Sequence, residues 1–166
     1  MILILATMTA LGCHISSPNL KKDSDGYFVK HYNACGPIAL EKAINEYYFR
    51  KQAGLTKSSV ISRKELSRQI QDSGFASRRL LSLINSGAIS ITWPCEIKDI
   101  LNKHGFEIVK LKNLKELNKE KDIAIILIHG KFFTNEYHWL VYPVDNIKDF
   151  FGENTVIDLI YLIRKK

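Results

Sequence analysis

Residues 123–128 read Ile-Ala-Ile-Ile-Leu-Ile, a continuous aliphatic run with no polar alternation. A run this short is a strand rather than a helix, and its lack of a wet face places it at the centre of a sheet. Working outward, residues 106–111 form a short strand candidate upstream. Residues 137–144 and 155–163 are two more strands, separated by a turn-prone stretch at 145–154. A charged amphipathic segment fills the gap up to Lys121 and is expected to be a solvated helix face.

Upstream of that sheet the periodicity changes. Leu40, Ala43, Ile44, Tyr47 and Tyr48 recur at helical spacing, predicting a helix that opens at Cys35 and ends near Gly54. Ser62 and Glu65, flanked by Ile61 and Leu66, form a capping box with a hydrophobic staple, and that helix should stop at Gly74. Leu80, Leu81 and Ile84 predict a third helix over 78–85. Thr92 should cap a fourth, with Pro94 in its first turn and Gly105 at its end. Helices first and strands after make an α+β domain, a helical subdomain packed on an antiparallel sheet.

The length of 166 residues, with 46% hydrophobic and 25% charged, suits one ordinary globular domain. A chain of this size buries roughly two-thirds of its unfolded surface without staples. This excludes a disordered tail, a disulfide-framed miniprotein and a polytopic membrane protein. The 24 Lys and Arg against 17 Asp and Glu give a net charge of +7, which favours anionic surfaces without naming one. Five lysines between 110 and 121 lack accompanying stacking aromatics, so no nucleic-acid partner is expected. His14, His104 and His129 stand singly, without metal-ligand spacing, and no phosphate-binding glycine loop occurs. Neither a metal nor another cofactor is expected.

Cysteines 13, 35 and 95 are odd in number and form no CxxC pair, so at least one thiol is free. Cys35 lies in His31-Tyr32-Asn33-Ala34-Cys35-Gly36-Pro37, at the start of the first helix. There the helix's positive end and unpaired N–H groups favour a thiolate. A thiolate nucleophile also needs an imidazole, and His138 opens Tyr137-His138-Trp139-Leu140-Val141-Tyr142 at the start of a strand. Asp158, among β-branched neighbours, can orient that imidazole if its strand pairs with that of His138; Asp145, Asn146 and Asn154 are the other possible orienters. Cys95 is a packing residue in a first helical turn.

Three pieces in this order carry a family resemblance. They are Cys35-Gly36-Pro37, the stretch from Thr92-Trp93-Pro94 through Ile97 and Leu101 to Gly105, and His138-Trp139-Leu140-Val141. Together they resemble the papain-like cysteine peptidases, and within them the branch of bacteriocin (double-glycine) leader peptidases. The resemblance implies a papain-like fold with Cys35 as nucleophile, His138 as general base and acid, and Asp158 as orienter. It implies acyl-thioester chemistry on a peptide or protein substrate. The family places an oxyanion-stabilising glutamine five or six residues before the cysteine, where this chain has Lys30 and Val29. His31 and Asn33 are the nearby donors, and His31 is nominated. A catalytically degenerate module of the same fold that binds a peptide or a cell-envelope partner is the second function class, and acyl transfer between amines a third.

The N-terminus adds a location. Residues 1–12 are uncharged and apolar, and Ala10-Leu11-Gly12-Cys13 resembles a bacterial lipoprotein box. Residues 1–12 are then a signal, Cys13 the lipidated residue, 13–26 a polar tether and 27–166 the domain. The expected location is an exported, membrane-anchored one in the cell envelope, or the cytoplasm if residues 1–12 are not a signal.

Overall fold

A computed structural model describes residues 21–51, 60–73, 92–131 and 133–166. The expected signal, the lipidation site at Cys13 and the helix over 78–85 lie outside the described residues. Helix α1, Cys35–Lys51, buries Leu40, Ala43 and Ile44 as its periodicity requires. Helix α2, Arg63–Asp72, is capped by Ser62, whose Oγ accepts from Glu65 N at 3.2 Å. Helix α3, Pro94–Lys103, is entered through Trp93 rather than Thr92. The cap there is the buried Glu96 carboxylate, which accepts from Trp93 N at 2.7 Å. Gly105 leaves α3 at φ +76°, a left-handed conformation that glycine adopts without strain.

Four strands follow: β1 Phe106–Leu111, β2 Ala124–Gly130, β3 Phe133–Tyr142 and β4 Thr155–Lys165. They form one antiparallel sheet in the order β1-β4-β2-β3. The pairing of β4 with β3 on which Asp158's role is conditional does not form. β4 inserts between β1 and β2, and among the described residues β3 is an edge strand.

The aliphatic run in β2 is explained by cover on both faces. Ile125 packs with Trp139, Val141, Tyr161 and Ile163 against the three helices. Ala124, Ile126 and Ile128 pack with Leu140 and Ile160 on the other face. No helix covers that second face among the described residues. Leu111, at the end of β1, and Leu114, Leu117, Ile147 and Phe151, from turns and loops, cover it instead. This corrects the expected helix before Lys121, where only one 3-10 turn, Leu114–Glu116, forms. Asn113 caps it, and leucines spaced for a helix serve as a lid over the sheet.

Residues 21–26, expected to belong to the tether, are attached to the domain. Asp23 accepts from Arg68 at 2.6 Å and from the Tyr32 hydroxyl. Tyr27 donates to Asp72 at 2.9 Å, and Phe28 N to Gln71 at 2.8 Å. The segment lies along α2 and leads through a 3-10 turn, Val29–Asn33, directly into α1.

Candidate active site

A cavity of about 930 Å³ lies where the N-terminus of α1 meets β3. Cys35 and His138, more than a hundred residues apart in sequence, both line it. The placement has simple local causes. Gly36 lets α1 approach Thr92 so closely that a Cβ there would stand 2.2 Å from Thr92 Cβ and Oγ1. Thr92 O in turn accepts from the buried Trp139 Nε1 at 2.8 Å. Thr92 thus ties the helix start to the strand carrying His138.

The backbone amides of Trp139, Gly36 and Cys35 itself act on the ionisation of the Cys35 thiol. They favour thiolate, as the sequence led one to expect, but burial outweighs them and pushes the thiol up. Burial likewise pushes the His138 imidazole down, against a smaller opposing pull from Glu136. Both groups are therefore neutral near pH 7. His138 stacks on Phe150, with centroids 4.4 Å apart, and touches Phe151 at 5.6 Å. Among the described residues no hydrogen bond joins its ring to Cys35. The alternation of β3 accounts for this. Trp139 faces the helices, whereas His138, opposite Ile128, shares the side of Leu140 and the second core.

Asp158 does not reach His138. It stands at a bulge in β4, between Ile157 opposite Ile128 and Leu159 opposite Leu127. Its Oδ2 is 2.7 Å from His129 Nδ1 on β2. With β2 lying between β4 and β3, Asp158 pairs with the neighbouring strand's histidine. Of the other possible orienters, Asp145 alone lines the cavity. Its carboxylate accepts from Lys42 Nζ at 2.5 Å and Val141 N at 2.9 Å. Asn146 caps its own turn, accepting from Lys148 N at 3.2 Å.

His31, nominated to stabilise an oxyanion, is 0% exposed and bonded through Nδ1 to Ser67 Oγ at 2.6 Å. It is absent from the cavity wall, because the 3-10 turn carries it under α2. Asn33, the other nearby donor, is on that wall. Cys95 is an exposed free thiol rather than a packed one.

Sequence reading missed the rim. Trp93, Tyr137 and Phe150 are 40%, 50% and 51% exposed and all line the cavity. Lys42, two helical turns beyond Cys35, had a legible signal in its spacing; Phe150, in a loop, had none. Among the described residues no group of three His, Cys, Asp or Glu is placed to hold a metal ion, and no helix is long and apolar enough to cross a membrane. No family model, curated protein or solved structure matches the chain.

Proposed function

We propose that the chain is a papain-like cysteine hydrolase, a peptidase or amidase whose working pair is Cys35 and His138. The observation that carries this reading is their shared cavity, with the sulfur at a helix N-terminus. Because the pair is neutral at rest, His138 acts as a general base during attack. Its ring must first swing from Phe150 toward the β3 edge. The thiol proton then passes to the imidazole, the C–S bond forms, and the carbonyl π pair moves onto oxygen. Collapse re-forms the carbonyl and breaks the C–N bond, and the imidazolium proton leaves with the amine. Water next attacks the thioester, giving a proton to His138. The C–S bond breaks, and the thiolate recovers that proton.

The test is protection by a peptide aldehyde, which forms a reversible hemithioacetal with an activated thiol. Wild-type protein should show Cys35 shielded from iodoacetamide by the aldehyde while the exposed Cys95 is alkylated freely. His138→Ala should lose that shielding. Equal behaviour of the two cysteines would overturn the proposal. A second reading, a peptide-binding module without turnover, is favoured by the stacking of His138 on Phe150. It would be supported by a Cys35→Ala variant that keeps the protein's biological effect.

A further inference from the structure

Resting on the nucleophile reading, we infer that the side-chain amide of Asn33 is the oxyanion donor of this site. A tetrahedral intermediate on Cys35 needs hydrogen-bond donors where its oxygen develops charge, beside the sulfur and facing the substrate. The backbone N–H of Cys35 opens α1, and the first amide to bond a carbonyl at this end is Ile38 N, which meets Ala34 O at 3.2 Å. The Cys35 N–H is therefore one such donor, free of any helical partner. A side chain on the cavity wall can add a further donor, and His31 is buried elsewhere.

Asn33 is two residues before the nucleophile, on the wall. Its amide has a direction. Oδ1 faces Arg63, whose NH1 donates to it at 3.5 Å. Arg63 is fixed by Glu41 of α1, which accepts from Arg63 N and Nε, both at 2.9 Å. The two ends of a planar amide diverge, so anchoring Oδ1 on Arg63 turns Nδ2 away from it. Among the described residues no acceptor takes Nδ2. Glu41, Arg63 and Asn33 thus form a chain that starts on the nucleophile's own helix and ends in an exposed amide on the cavity wall that Cys35 shares. Arg63 is a positioning residue in this scheme, and Asn33 touches the reacting oxygen.

Two reactions of Cys35 separate this role from a structural one. Acylation by p-nitrophenyl acetate passes through an oxyanion: the thiol proton passes to His138, the sulfur bonds to the acyl carbon, and the ester C–O bond breaks to release p-nitrophenolate. Alkylation by iodoacetamide displaces iodide at saturated carbon and forms no oxyanion. Asn33→Ala is expected to slow acylation roughly 100-fold while alkylation stays within about twofold of wild type. Arg63→Ala, which keeps the amide but frees Oδ1, should slow acylation by a smaller factor. Wild-type acylation at Cys35 with an unchanged rate in Asn33→Ala would overturn the Asn33 assignment alone. Equal loss of both reactions in both variants would overturn it in favour of a structural role. A wild-type protein that p-nitrophenyl acetate does not acylate at Cys35 would overturn the nucleophile reading, and the Asn33 role with it.

Discussion

The space a Cβ would need at Gly36 is already occupied by Thr92, 2.2 Å away at two of its atoms. Thr92 is held from behind by Trp139, so it cannot retreat without disturbing the buried core. Gly36→Ala should therefore cost about 1–3 kcal/mol, read as a lower denaturant midpoint at unchanged slope. It should also shift the Cys35 sulfur within the cavity. At Cys35 the pH dependence follows from burial. A thiol held above its ordinary value remains protonated through neutrality, so alkylation should climb only in the alkaline range, later than for a cysteine in a short peptide. A plateau at pH 6–7 in the resting protein, the mark of a preformed ion pair, would contradict the neutral pair described here. The same shift makes stability present below the unfolded thiol's pKa and lost as pH rises through the folded one.

Elements were legible in proportion to how local their causes are. The stripe of α1, the Ser62–Glu65 cap of α2 and the Gly105 exit of α3 involve residues within one or two turns of each other, and each is where the sequence puts it. Ser62→Ala should accordingly cost about 1 kcal/mol in chemical denaturation. Strand existence was equally plain, since hydrophobic runs mark it. Strand order was not. Nothing in residues 155–165 states that their partners are β1 and β2 rather than the preceding β3, because backbone pairing is indifferent to which strand supplies it. The Asp158 assignment depended on that order, and the inserted β2 gives the carboxylate to His129. Asp158→Asn should consequently leave aldehyde protection of Cys35 unchanged and alter stability by less than about 1 kcal/mol. Loss of protection would return Asp158 to the site.

At the scale of the whole molecule, the domain extends upstream of the boundary suggested by composition. Residues 14–26 read as polar and turn-rich, yet Asp23 is bonded to Arg68 and Tyr32 on the folded body. Polarity alone does not separate a solvated linker from a segment attached by ion pairs, so this boundary was not readable from sequence. Arg68 holds the Asp23 carboxyl far below the usual carboxylate range. That contribution is fully present above the unfolded carboxylate's pKa and is lost as pH falls toward the folded one. Arg68→Ala should expose residues 21–28 to limited proteolysis at neutral pH, a cleavage that wild type resists until acid. Because this segment runs straight into the turn bearing Asn33 and then Cys35, its release should also blunt Cys35 acylation.

The position of β4 carries a consequence for synthesis. The strand that comes last along the sequence occupies the sheet's interior, joined on one side to β1 and on the other to β2. As the chain leaves the ribosome, the described helices and the β2–β3 hairpin can be complete while β2 and β1 both still await β4, the strand that joins them among the described residues. Until residues 155–165 emerge, that gap is open to any extended peptide, including a second nascent copy. The thiol chamber itself is lined by residues that emerge earlier, so its walls exist before the sheet beneath them is closed.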